Sequence, residues 1–570
     1  MTKLIRNWLV IVWVFFPAVG LAQLKLEIKG VSSSLAENIR LHLSRWDKVP
    51  KGDPDAVRRS IRNAVLRSLQ PLGYYDPQID ISIADELLTL SIDPGAPVTW
   101  GEINLSLSES LDALPEAIRK LASKSPFKPG AIINHQVYDD YKRELLLTAR
   151  QEGYMNAQWD KSQLLINRNT LRAQVLLILT LGERYQIWNI NIEGSGLSDE
   201  TAQTLIDVNA GEWYSSNKIG TIYDSLLGSG YFKNAVINVD PVPPNRANLD
   251  IELTDQPRHQ FATGIGYGTD TGVRGKFGWT RSRLNKRGDS LFTNVKVSQI
   301  SQEITAQYKI PWPHPIERYL SWDTGWKNEI TTDRESALLT TGLSFVQSKG
   351  KSWRSSYGVN LEYETYRQGD NPSESITYVL PNYHYLAREI EGDRRNPSSI
   401  FKYWFDSSLG FAALTDHTLF LASTLGASYS MDLTDDHSIA SRFEFGVIMT
   451  DDFYDVPISK RFYTGGDQTV RGYRYNSLAP EDSDGELIGG QFLNFLSLEY
   501  QYRIAQNWKL ATFADTGRTY ISSHDPFHSG AGVGVRWILP VGMLAFDLAK
   551  PITGEEESSV RVHVYMGILL

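Results

Sequence analysis

Leu496-Ser497-Leu498-Glu499-Tyr500-Gln501-Tyr502-Arg503 alternates apolar and polar residues over eight positions, the period of an extended strand whose side chains point to opposite faces. The same texture continues beyond it. Leu544, Phe546 and Leu548 alternate with Ala545, Asp547 and Ala549, and Val560, Val562, Val564, Met566 and Ile568 alternate with Arg561, His563, Tyr565 and Gly567. From about Arg258 strand follows strand with polar turns between them, and helical periodicity almost disappears. At roughly 20 residues per strand and turn, positions 258–570 hold about 16 strands, an even number, as a transmembrane antiparallel β-barrel requires. A soluble sandwich alternates too, with its apolar face inward, so the pattern leaves open which face is out. Trp279, Trp312, Trp404, Trp508 and Trp537 fall where the interfacial girdles of a barrel are expected.

Upstream, the sequence repeats itself. Gly73-Tyr74-Tyr75, Gly153-Tyr154-Met155 and Gly230-Tyr231-Phe232 recur at intervals of 80 and 77 residues, a period that has to be settled before any local motif is trusted. Two amphipathic segments precede each pair. Tyr138, Tyr141, Leu145 and Leu146, for example, share one helical face. An alternating strand opens each unit, as in 24–30, 102–107 and 188–194, and two more close it, as in 78–83 with 87–92. Each unit reads as strand, helix, helix, strand, strand, an α+β fold. The glycine fits a left-handed cap ending the second helix, with the aromatic packing back onto it, so Gly73, Tyr74, Gly153, Tyr154, Gly230 and Tyr231 are structural markers. The rim of each small sheet is where an extra strand from a client or partner would add.

Composition excludes several functions. A net charge of −9, 22% charged and 41% hydrophobic residues are ordinary for a folded protein, and the lack of a basic run speaks against nucleic acid as a partner. With no cysteine, disulfides, thiolate zinc sites and cysteine nucleophiles are excluded. Lys3 and Arg6 precede an uncharged stretch, Trp8 to Ala22, that ends in Gly20-Leu21-Ala22, the pattern of a cleaved signal peptide. The stretch is broken by Pro17 and falls short of the roughly 20 residues of a spanning helix. The expected organisation is therefore a signal peptide at 1–22, repeats at 23–97, 98–186 and 187–257, and a barrel at 258–570. No later stretch could cross a bilayer as a helix, so entry into a membrane requires a closed barrel.

One motif connects these parts. Arg461-Phe462-Tyr463-Thr464-Gly465-Gly466-Asp467-Gln468-Thr469-Val470-Arg471-Gly472-Tyr473 resembles the lumen-inserted loop signature of the superfamily that includes the BamA, TamA and two-partner secretion transporter families. Phe513-Ala514-Asp515-Thr516-Gly517 resembles its inward-facing acidic strand, and Gly530-Ala531-Gly532-Val533-Gly534-Val535-Arg536 the strand after it. The runs 284–289 and 310–315 are similar to early barrel turns of the TamA family, and the repeats to POTRA domains. Three repeats beginning beside the cleavage site resemble TamA, since BamA-type chains carry five and two-partner transporters two.

That resemblance implies a bacterial outer-membrane assembly factor, its POTRA domains in the periplasm, that inserts or translocates β-barrel clients such as autotransporters and works with a TamB-like inner-membrane-anchored protein. It nominates Gly465, Gly466, Val470, Arg471, Gly472 and Tyr473 as the lumen loop, and Asp515, with Phe513 and Gly517, as its anchor. A guanidinium inside a barrel is costly unless it meets a carboxylate, and its fork favours a bidentate pair. Read without the resemblance, Arg471 beside Tyr473 fits a solvated surface loop. Phe513 shares a face with Asp515, which leaves the facing of that strand open.

The resemblance also implies a lateral seam where the first strand, with Phe261, Gly264, Gly266 and Gly268, pairs with the last, with Val564, Gly567 and Leu569. Glycines weaken such an edge, so an incoming strand is expected to add there. The chain ends Gly567-Ile568-Leu569-Leu570, where most barrels of this kind end in an aromatic. The competing reading is a two-partner-secretion-type transporter exporting one dedicated protein through the lumen. An enzyme is not expected: no HExxH or GxSxG occurs, the GxGxG runs at Gly264 and Gly530 have no following helix, and 482–486 lacks the full spacing of a calcium loop. No metal site or cofactor is expected either.

Overall fold

The computed structural model describes residues 25–44, 53–84, 87–350, 352–393, 396–412, 418–539, 542–554 and 560–567. The expected signal peptide and Leu569 lie outside them. The chain divides into two compact units, one holding the first two repeats and part of the third, the other holding the remainder of the third and the barrel.

The first repeat runs β1 (Lys25–Lys29), α1 (Ser33–Leu43), α2 (Pro54–Leu69), β2 (Gln78–Ala84) and β3 (Leu87–Asp93). Helix α2 starts where Pro54 sets the first turn and the Asp53 carboxylate accepts the N–H groups of Asp55 and Ala56, satisfying donors that have no partner within the helix. Its apolar stripe, Val57, Ile61, Val65 and Leu69, packs on Leu88, Leu90 and Ile92 of β3. The last strand is central: β1 pairs with β3 in parallel and β2 pairs with it antiparallel.

The second repeat follows the same order with β4 (Thr99–Leu107), α3 (Glu116–Ser123), α4 (His135–Gln151), β5 (Gln158–Asn167) and β6 (Arg172–Thr180). Tyr138, Tyr141 and Leu145 are buried, and Leu146 is half-buried at the edge of that core. The third comprises β7 (Gln186–Glu193), α5 (Asp199–Ile206), α6 (Ser216–Gly228), β8 (Phe232–Val242) and β9 (Arg246–Asp255), with sheet order β7-β9-β8.

The glycines of the three Gly-Tyr pairs are left-handed, with φ of 96°, 102° and 75°. Two of them also join repeats. The Gly73 carbonyl accepts the N–H of Val98 at 2.8 Å, and the Gly153 carbonyl that of Tyr185 at 2.9 Å. A Cβ on Gly73 would lie 2.9 Å from Ile132, and one on Gly153 2.8 Å from the Tyr214 carbonyl, so neither position has room for a side chain. The third pair meets the barrel, where the Tyr231 hydroxyl donates to the Gly288 carbonyl at 2.5 Å.

Sixteen antiparallel strands form the fourth sheet, ordered as in the sequence. They are β10 (Gln260–Gly268), β11 (Gly272–Arg281), β12 (Ser290–Val297), β13 (Ser301–Pro311), β14 (Arg318–Ile330), β15 (Arg334–Lys349), β16 (Trp353–Gln368), β17 (Glu374–Asp393), β18 (Asn396–Ala412), β19 (Leu419–Asp432), β20 (His437–Thr450), β21 (Phe492–Ala505), β22 (Trp508–Tyr520), β23 (His528–Leu539), β24 (Gly542–Pro551) and β25 (Arg561–Gly567). Leu496, Leu498, Tyr500 and Tyr502 are exposed, as are Phe546, Leu548, Val562 and Met566, whereas Asp515, Asp547 and His563 are buried. The apolar face is therefore outside, the reverse of a soluble sandwich. The Trp508 and Trp537 rings stack 5.2 Å apart at adjacent strand ends. Trp404 departs from the expected girdle: it lies mid-strand in β18, its ring occupying the space that a side chain on Gly426 would take, on the inner face of the wall.

Candidate functional site

Between β20 and β21, residues 451–491 fold into the barrel lumen instead of turning at its rim. Two small apolar clusters hold this loop to the inner wall. Val470, Tyr473 and Leu478 pack on Leu493 and Phe495, and Phe453 and Val456 pack on Tyr378, Leu380, Phe420 and Ile448. Gly465, Gly466 and Gly472 have φ of 102°, 107° and 104°, a region that side chains enter only at a cost. Val470 lies 3.0 Å from where a Cβ on Gly517 would stand, so this strand glycine makes room for the loop.

Arg471 is the loop's main anchor. Its Nε and Nη2 donate to the two oxygens of Asp515 at 2.7 and 2.9 Å, and its backbone N–H donates to the same carboxylate at 3.1 Å. Nη1 reaches Glu499 at 2.9 Å and Asp547 at 3.1 Å. The guanidinium carbon sits 3.4 Å from the centre of the Phe513 ring, so Phe513 and Asp515 both face inward and serve one side chain. Arg536 completes the cluster with two bonds to Glu499 at 2.9 and 2.7 Å and a fork onto Asp547. Two guanidinium groups and three carboxylates are thus interlocked where each alone would be a buried, unpaired charge.

Glu499, Arg536, Asp547 and His563 were not singled out as site residues from the sequence. Each lies on the polar face of its strand, so alternation gave the signal, but the register brings them together: Asp547 stands opposite His563 and Gly534. The glycine run of β23 has its own part here. A Cβ at Gly530 would strike the Arg471 carbonyl, one at Gly532 the Phe513 ring, and one at Gly534 the Asp547 carboxylate. The row is a floor on which the loop rests.

The opposite wall grips the loop separately. Lys460 pairs with Glu362 at 2.7 Å, Ser459 donates to Glu364, and the Tyr378 hydroxyl donates to the Asp455 carbonyl. Arg461 is buried without a carboxylate: it donates to the carbonyls of Tyr454, Val456 and Ile488, tying the two legs of the loop to each other.

The seam differs from its expected form. Among the described residues no ladder joins β10 to β25; Thr269 N–H donates to the Val564 carbonyl and Val564 N–H to the Thr269 hydroxyl, each at 3.2 Å. Phe261 and Ile265 are 67% and 88% exposed, and a side chain at Gly266 would meet nothing within 4 Å. Gly268 lies against the Arg274 guanidinium. Gly567 pairs with Met543 on the far side of β25. Gly264, Gly266 and Gly268 put no side chains on the inner face of β10, so this edge has little side-chain packing to hold it.

Below the barrel wall, the turn 284–289 receives the third repeat. Ser198 N–H donates to the Lys286 carbonyl, and a Cβ on Gly288 would press on the Tyr231 hydroxyl. Asp289 closes that turn with a two-pronged pair to Arg287 at 2.8 and 2.6 Å and a bond from Tyr308 at 2.7 Å. Burial raises the Asp289 carboxyl, and the hydrogen bonds from Arg287 and Tyr308 override it, holding it below the ordinary carboxylate value.

Residues 283–568, half of the chain, match the family model described as the Omp85 superfamily domain. The chain belongs to the Omp85 superfamily. Residues 25–94 match a model described as POTRA domain, TamA domain 1, and residues 185–256 a POTRA model described as surface antigen variable number repeat. Among curated relatives, this Omp85 chain is 23% identical over 428 residues to the outer membrane protein assembly factor BamA of Nitratidesulfovibrio vulgaris, covering 69% of this chain and 52% of that one. It is 20% identical over 568 residues to BamA of Neisseria meningitidis serogroup B, covering 86% and 70%. The chain thus spans about half the length of the first of these relatives. Among solved structures, BamA from Haemophilus ducreyi lacking POTRA domains 1–3 superposes with a TM-score of 0.66 at 14% identity, covering 82% of this Omp85 chain and 99% of that one. The shared fold is POTRA domains followed by a 16-stranded, nearly closed antiparallel barrel.

Proposed function

We propose that this Omp85 chain is a TamA-type assembly factor. Seated in the outer membrane with its POTRA domains in the periplasm, it inserts or translocates β-barrel clients such as autotransporters by letting a client strand add at the seam between β10 and β25. One observation carries the reading: β10 presents an edge without a ladder partner among the described residues, and an open edge is a template for another chain. The likeness of 25–94 to the first POTRA domain of TamA favours this type over a BamA type. The partners of this reading are a TamB-like inner-membrane-anchored protein, unfolded clients and the lipid bilayer. It needs no nucleic acid, cofactor, metal or bond-breaking chemistry.

The chain has no cysteine of its own, so a disulfide between Thr269→Cys and Val564→Cys can lock the seam cleanly. Client insertion into outer-membrane vesicles should stop when the pair is oxidised and resume on reduction. Undiminished insertion by the locked chain would rule out strand addition at this seam, and export of one soluble protein through the lumen of the locked chain would favour a secretion transporter.

A further inference from the structure

The two edges of the seam share another partner besides each other. Asp467 N–H donates to the Asp270 carboxylate at 2.6 Å, in the turn that follows β10. Five residues on, Gly472 N–H donates to Nε2 of His563 on β25 at 3.0 Å. Both acceptors are buried, at 8% and 2% side-chain exposure. Because Nε2 accepts, the neutral ring carries its proton on Nδ1, which lies 3.8 Å from Asp270 Oδ1, too far for a hydrogen bond but within electrostatic reach. The loop glycines permit this approach. A Cβ on Gly466 would lie 2.5 Å from Asp270, and one on Gly472 3.0 Å from Pro551 N.

We infer that the lumen loop staples the seam: Asp467 holds the β10 side through Asp270, and Gly472 holds the β25 side through His563. Across the seam itself, Thr269 and Val564 are joined by two hydrogen bonds. At this corner the edges flank a cavity of about 580 Å³, lined in part by Asp270, Tyr473, Arg561 and His563. Arg471 lies between the two staple points, so its cluster with Asp515, Glu499 and Asp547 anchors the staple to β21, β22 and β24. Asp270 and His563 are positioning residues, and release of the loop and parting of the seam are one event. The inference concerns the barrel alone and does not rest on the assembly reading.

The test uses the purified full chain in nanodiscs with spin labels at Ile265→Cys and Val562→Cys, both on the outer face, and measures the distance distribution across the seam. Asp270→Ala combined with His563→Ala should add a population longer by at least one strand spacing, about 5 Å. Labels at Ile304→Cys and Leu339→Cys, which straddle the paired strand β14, should not move. Asp270→Asn with His563→Gln retains oxygen acceptors and should keep the short distance. Gly466→Ala, which displaces the loop from Asp270 without altering either seam strand, should lengthen it as the double alanine variant does. A seam distance unchanged in both the double alanine variant and Gly466→Ala would overturn the staple, whatever becomes of client insertion.

Discussion

At the scale of single residues, Arg471 illustrates how a charge is kept inside a barrel. Its Nε, both terminal nitrogens and backbone N–H all have acceptors, and Phe513 covers its face. Removing one partner from such a cluster leaves the others buried and uncompensated, a loss of about 3–5 kcal/mol. Arg471→Ala should therefore lower the unfolding midpoint in denaturant, and the double variant with Asp515→Ala should lose less than the sum of the two singles, with a coupling of about 0.5–3 kcal/mol. Strict additivity in that cycle would mean that the pair does not act as a unit. The sequence placed Arg471 and Asp515 together only through a family motif. The alternation around Glu499, Asp547 and His563 was visible, but which charged residues meet depends on strand register and on where a 41-residue connection comes to rest, and neither is encoded locally.

At the scale of elements, the Gly-Tyr pairs show a local signal with a non-local use. Their left-handed caps follow from glycine ending a helix, and that much was legible. That Gly73 and Gly153 also accept an N–H from the residue just before the opening strand of the next unit, while Tyr231 seats on the turn before β12, was not, because the partner residues lie 25 to 57 positions further on. The turn itself should be sensitive to acid. Because Asp289 is held below its ordinary value, its pairing stabilises the fold above the unfolded aspartate value near 3.9, and the contribution is lost as pH falls through the lower folded value. Asp289→Asn should lower the unfolding midpoint at pH 7, and its deficit against the parent chain should shrink below about pH 4. A deficit independent of pH would show that the carboxylate's charge is not what matters. The expected girdle tryptophan at position 404 failed for a related reason: a mid-strand ring finds room inward over Gly426, and spacing alone does not tell inside from outside.

For the whole molecule, the loop is both plug and brace. It touches the wall at Glu362 and Glu364, at the Asp515 cluster, and at the seam through Asp270 and His563. Replacing 451–491 with a short glycine-serine turn should leave a barrel that still shifts on gels with heating, since the strand ladders do not pass through the loop, and should raise single-channel conductance in planar bilayers. Conductance equal to that of the parent chain would argue that the loop does not fill the lumen.

What the sequence determined by itself was the alphabet of this protein: period-two strands in the second half, two-helix repeats in the first, and a glycine-rich motif that needs left-handed backbone. These are local properties, set by side-chain alternation, helix caps and the φ values open to glycine. Tertiary structure alone decided which face of the strands is outside, that two arginines share three carboxylates, and that among the described residues the first and last strands meet without a ladder. Each of these depends on residues brought together from distant parts of the chain, where closure of the sheet fixes the partners and burial sets the cost of leaving any charge without one.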